Sequence, residues 1–218
     1  MTTRRLAPLA LGLLTLLPAA AHAQQVQAII DVDQAWVAND TNGDGSYEFF
    51  TGGTLETLTV RRFDGRFADT PILGFDTSAI LDEEVTIDRV VFNYDPASYT
   101  TNSQGIAVSS FGYLGNLPTS PVIGTDQGNI TVDSLAPASF ELNAFANLTA
   151  GSNNKFGLQL IGIDSTNISL FGPDTTLGRA PTLTVYYTPN VIPEPTTLAL
   201  LTLAAPSLLL RRRRHPQP

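Results

Sequence analysis

The chain has 218 residues, 20 acidic and 12 basic, with a formal net charge of −8, no cysteine and two histidines. These numbers exclude disulfide staples, thiol nucleophiles and Cys-based metal knuckles, and an acidic balance argues against nucleic acid as a partner, since phosphate binding needs a basic footprint. His22 and His215 sit close to the two ends, so the long middle of the chain has neither a Ser-His-Asp triad nor a His-based metal site.

The first 23 residues read as a signal peptide. Arg4 and Arg5 form a basic n-region, Leu6 to Leu17 an apolar h-region, and Ala21-His22-Ala23 an A-x-A site for signal peptidase. The mature chain is expected to begin at Gln24, outside the cytoplasm. Without the two ends, six basic residues remain (Arg61, Arg62, Arg66, Arg89, Lys155 and Arg179) against 20 acidic ones, a net of −14. An exported segment of this size without disulfides must rely on its own core, and about 165 residues suffice for one.

Residues 24–188 read as a single all-β domain. Short runs rich in Val, Ile, Thr, Phe and Tyr alternate with Gly, Pro, Asn and Asp. Strands are expected at 26–30, 34–38, 55–62, 71–76, 85–94, 105–112, 129–133, 138–146, 156–163 and 181–187. In the ninth of these, Phe156, Leu158 and Leu160 share one face at period two. Phe140, Leu142 and Ala144 do the same in 138–146. Many short strands and frequent turns predict a β-sandwich of jelly-roll type.

The sharpest local signal is Asp40-Thr41-Asn42-Gly43-Asp44-Gly45-Ser46-Tyr47-Glu48. It fits D-x-N-x-D-G, the first half of a calcium loop. Asp40, Asn42 and Asp44 can aim oxygens at one point, the Ser46 carbonyl can follow, and Glu48 can bind directly or through water. The twelfth position is Thr51 instead of a bidentate Glu, and no helices flank the loop, so it is not an EF-hand. Asp31, Asp33 and Asp76 are distant donors to consider. The same residue types also favour a plain polar turn, and both readings stand at this point. Calcium is the one cofactor that the sequence points to.

Other groups are less specific. Tyr47, Tyr99 and Tyr113 lie in or near expected loops and are candidates for stacking on sugar rings, whereas Trp36, Tyr94 and Tyr186 fall within strands and read as core. Arg61, Arg62 and Arg66 could grip a uronate or sulfate, or pair with Asp64, Asp69 or Asp88. Asp82-Glu83-Glu84 reads as a solvated loop, because neighbouring strand residues point to opposite faces.

The C-terminus has three parts. Pro193-Glu194-Pro195 cannot form regular structure. Residues 196–210 are apolar and short for a membrane span. Arg211, Arg212, Arg213 and Arg214 begin a tail, 211–218, that stays cytoplasmic by the positive-inside rule. After the linker 189–195, this order resembles the PEP-CTERM sorting signal of Gram-negative bacteria. The resemblance implies recognition near the triplet by an exosortase-like membrane transpeptidase, transient anchoring in the inner membrane, and delivery to the cell surface or the extracellular polysaccharide matrix.

The middle of the chain has a family resemblance too. DVDQAWV (31–37), LETLTVRRF (55–63), PILGFDTSAI (71–80), VTIDRVVFNY (85–94) and RAPTLTVYYTP (179–189) follow the progression of the DNRLRE-type, carbohydrate-binding-module-like jelly rolls of bacterial surface proteins. Phe75-Asp76 and Pro181-Thr182-Leu183-Thr184-Val185-Tyr186 match the family pattern. Leu73 and Gly74 stand where the family has an arginine before its "FD" element, and Arg89-Val90-Val91 replaces Ala-x-Leu. The resemblance implies a non-catalytic structural or polysaccharide-binding role. The alternative is a carbohydrate-active lyase or hydrolase that works through carboxylates.

Overall fold

Alternating apolar residues set the strands. The computed structural model describes residues 25–190, apart from 43, 45, 53–54, 64–66, 82–84, 101–104, 119–121, 146–147, 149–154 and 164. The signal peptide with Ala21 and Ala23, the triplet Pro193-Glu194-Pro195, the apolar segment 196–210 and the tail with Arg211, Arg212, Arg213 and Arg214 lie outside the described residues, as do Arg66 and Asp82-Glu83-Glu84. The described residues fall within one compact unit, Gln24–Val191.

The strands are β1 (Val26–Asp40), β2 (Phe49–Gly52), β3 (Thr57–Phe63), β4 (Phe67–Asp76), β5 (Val85–Tyr94), β6 (Pro96–Tyr99), β7 (Ile106–Tyr113), β8 (Thr125–Ile130), β9 (Ala138–Glu141), β10 (Lys155–Gly162), β11 (Thr166–Phe171) and β12 (Thr182–Pro189). The one described helix, α1 (Ser78–Leu81), is a single turn. Among the described residues no helix is long and apolar enough to cross a membrane.

The fold is all-β and sandwich-like, and every strand pair is antiparallel. One sheet runs β9-β5-β12-β1, using the first half of β1. The second half of β1 joins the other sheet, between β2 and β4. From β4 that sheet continues to β10, β7 and β8 along one path and to β3, β11 and β6 along another. Strand β1 therefore belongs to both sheets.

One core lies between them. Val90, Phe92, Leu183 and Val185 come from the first sheet. Leu58, Val60, Leu73, Phe75, Phe156, Leu158, Leu160, Ile168 and Leu170 come from the second. Each fully buried side chain of this size contributes about 1.5–3 kcal/mol through removal from water. A smaller cluster (Ala38, Ile72, Phe111, Tyr113 and Leu117) sits on the opposite, outer face of the second sheet, with Trp36, Tyr47, Phe50 and Val122 packed against it.

The expected strands 26–30 and 34–38 are one continuous β1, because a bulge absorbs the polar break at Asp31–Asp33. Strand β8 lies earlier than the expected 129–133, and β9 stops at Glu141. Beyond that end Leu142 still donates its N–H to the Val90 carbonyl at 2.9 Å. Strands β2, β6 and β11 have no counterpart among the expected ones. Two are four-residue segments, and β6 begins with Pro96, which is tolerated because among the described residues β6 pairs only with β11.

Candidate functional site

The hairpin from β1 to β2 brings the calcium-like loop together. Register pairs run from Trp36–Gly52 to Asn39–Phe49, and the Glu48 N–H donates to the Asn39 carbonyl at 2.9 Å. Asp40, at the end of β1, is buried, while Asp44 and Glu48 are exposed. One carboxylate oxygen from each of these three residues lies within 4.8 Å of the other two. Calcium binds oxygens at 2.3–2.6 Å, so ligands on opposite sides of one ion stand about 4.6–5.2 Å apart. The spacing fits a single ion.

Local hydrogen bonds hold the loop in shape. Asn42 Oδ1 accepts from the Asp44 N–H at 2.9 Å, and Asp44 Oδ1 accepts from the Ser46 N–H at 2.8 Å. The Ser46 bonds, with help from Asn42, hold the Asp44 carboxyl below its usual range. It therefore stays ionised, as a cation ligand must. Glu48 Oε2 accepts from the Thr41 N–H at 2.7 Å and from Thr41 Oγ1 at 3.1 Å. Asn42 is turned toward Asp44, with Nδ2 to Oδ2 at 3.2 Å, and Ser46 is exposed. The three carboxylates supply three to six oxygens, and water would complete a calcium shell of six to eight.

The more distant donors are not in this group. Asp33 pairs with Lys155 Nζ at 2.5 Å. Asp76 accepts from the Ser78 hydroxyl and N–H, which hold its carboxyl below the usual range. Asp31 lies opposite Thr182 in the other sheet. Thr51 donates its hydroxyl to Asn39 Oδ1 at 3.2 Å.

The three tyrosines expected in or near loops lie in the β1–β2 loop (Tyr47) and at the ends of two strands (Tyr99 and Tyr113). Tyr113 is in β7 and buried, with its hydroxyl above Gly74 and no partner for it. Tyr47 is half-buried in the outer cluster, its hydroxyl 3.1 Å from Thr70 Oγ1. Tyr99 is in β6 and donates to the Asp133 carbonyl at 2.8 Å. Tyr47 and Tyr113 share one cluster, and Tyr99 packs on the main core. Tyr113, expected just past the end of strand 105–112, is the last residue of β7. Arg61 Nε pairs with Asp69 Oδ2 at 2.7 Å, and Arg89 lies 4.3 Å above the Tyr186 ring. The first contact follows the expected acidic pairing.

Sequence patterning missed three aromatic–glycine contacts on the outer face. Trp36 covers Gly52, Tyr113 covers Gly74 and Phe111 covers Gly157. The signal available was a glycine inside a strand, which marks a close approach of another group. No protein-family model matches this chain, and no curated protein is significantly similar to it.

Proposed function

We propose that this is an exported, non-catalytic β-sandwich of jelly-roll type that works at the cell surface or in the extracellular polysaccharide matrix. Its β1–β2 loop holds calcium through Asp40, Asp44 and Glu48. The structural observation that carries this reading is the convergence of those three carboxylates at single-ion spacing. An ion there would pin the hairpin that joins β1 to the edge strand β2. Calcium modules that work outside the cell bind at about 10⁻⁴–10⁻³ M, which suits a site with few protein ligands on an exposed loop.

Delivery rests on the two ends of the chain. The leader directs export, and the Pro193-Glu194-Pro195 signal with its apolar segment and arginine tail hands the protein to an exosortase-like enzyme. The protein is the substrate of that cleavage and not its catalyst. Its role in the matrix is to bind polysaccharide or to build structure.

Co-sedimentation of the exported protein with a panel of bacterial and plant polysaccharides, in calcium and in chelator, tests the reading. Retention on one polymer that falls in chelator is the expected result. Retention on none, together with hydrolysis or elimination products from any of them, would replace it with the enzymatic alternative.

A further inference from the structure

Strand β1 changes face at its bulge. Before the bulge Ala28, Ile30 and Val32 pack on the core, and after it Ala35 and Val37 do. The register against β4 slips between Val32 and Gln34. This change of parity leaves Asp33 and Gln34, adjacent in sequence, both on the outer side, close to Trp36. Bulges re-aim side chains in this way and are enriched beside functional sites.

The bulge also leaves a gap in strand pairing. Partnering with β12 ends at Asp31 and partnering with β2 begins at Trp36, so among the described residues Val32, Gln34 and Ala35 pair with β4 alone and Asp33 is the bulged residue. A cavity of about 560 Å³ lies over this gap, lined among others by Asp33, Gln34, Trp36, Asn116, Leu117 and Asp174. That volume is in the range of roughly 300–1,000 Å³ for small-molecule sites.

The polar groups are held in place with binding capacity left over. Gln34 Oε1 accepts from the Leu117 N–H at 2.7 Å, which fixes the amide and leaves its NH₂ to donate. Asp33 uses Oδ2 for Lys155, and Asp174 uses Oδ2 for the Leu55 N–H, so each keeps an oxygen to accept. Asn116 is exposed on the loop after β7. Half-buried Trp36 adds an apolar surface.

Amide donors, carboxylate acceptors and one indole complement a pyranose. Its hydroxyls both donate and accept, and its C–H face packs on aromatic rings. Two carboxylates in the lining, on a segment 24–193 with six basic against 19 acidic residues, disfavour an acidic sugar.

We infer that this notch is a binding subsite for a neutral sugar ring of a polysaccharide. The inference deepens the polysaccharide-binding reading above and rests on it.

Trp36 is the only tryptophan in the chain, so its fluorescence reports from within the notch. The exported protein is titrated with cellohexaose, mannohexaose, xylohexaose and maltohexaose, with an alginate hexamer as the acidic counterpart. Co-sedimentation with the parent polymers runs in parallel. A saturable change in Trp36 emission with a neutral oligosaccharide is expected. Asn116→Ala and Asp33→Asn should each weaken it about tenfold, the value of one well-placed hydrogen bond. Gln27→Ala, at the other end of β1, should leave it unchanged. Asn116 is exposed on a loop, so its variant should melt with the wild type and separate binding from folding.

Sedimentation with a neutral polymer that neither alters Trp36 emission nor weakens in Asn116→Ala would overturn the notch and leave the polysaccharide reading intact. Preference for the alginate hexamer would overturn the neutral assignment. Sedimentation with no polymer would overturn both the notch and the reading beneath it.

Discussion

The indole of Trp36 lies across Gly52 of the neighbouring strand, so closely that a β-carbon at position 52 would stand 1.8 Å from Trp36 Cζ3. The two residues are register partners in the β1–β2 pair. Gly52→Ala must displace the indole or lift β2, and overpacking of this kind costs about 1–3 kcal/mol. Denaturant unfolding followed by Trp36 emission should show a lower midpoint and a shifted native spectrum. An unchanged midpoint would contradict this packing.

Tyr113 gives a pH-dependent prediction. Its hydroxyl is buried without a partner. Burial, and then the charges of Asp33 and Asp76, push its ionisation well above the ordinary tyrosine value of 10. A folded-state value raised above the unfolded one gives stability that is fully present below pH 10 and is lost as pH rises beyond it. Tyr113→Phe removes both the unpartnered hydroxyl and this titration. The variant should be at least as stable as the wild type at pH 7, since a buried polar group without a partner is a cost of about 1–3 kcal/mol. It should also lose less stability between pH 9 and 11. Equal alkaline losses in the two proteins would contradict the assignment.

The fold was legible where a long run of apolar and β-branched residues carries a whole strand, as in β5, β10 and β12. It was less so where pairing supplies what local pattern lacks. Strand β11 has Ile168 and Leu170 at period two, yet Ser165, Thr166 and Asn167 at its start resemble a turn. The Asp40–Glu48 loop could be read from sequence because its three carboxylates lie within nine residues on one hairpin. The notch beside Trp36 could not, since it depends on contacts such as Asp33 with Lys155, 122 residues apart, and Gln34 with Leu117, 83 residues apart. The bulge that presents Asp33 and Gln34 together has no local signature either, since Asp31, Val32 and Asp33 read simply as a break between two strands.

Calcium in the Asp40–Glu48 loop, as proposed, would make the melting temperature depend on the ion. An ion bound at about 100 times its dissociation constant would raise the melting temperature of a domain this size by about 5–10 °C. Asp40→Ala combined with Asp44→Ala should abolish the rise, and magnesium should substitute poorly, because it demands a tighter octahedral shell. No calcium-dependent rise in the wild type would dispose of the site.

We propose that this sandwich is exported and released from its C-terminal signal. Intact mass spectrometry of the protein recovered from the cell surface and the surrounding matrix would reveal this processing. The expected mass is that of a chain that begins at Gln24, ends near Pro193 and lacks Arg211 to Arg214. A surface population that retains the apolar segment 196–210 and the arginine tail at steady state would contradict it.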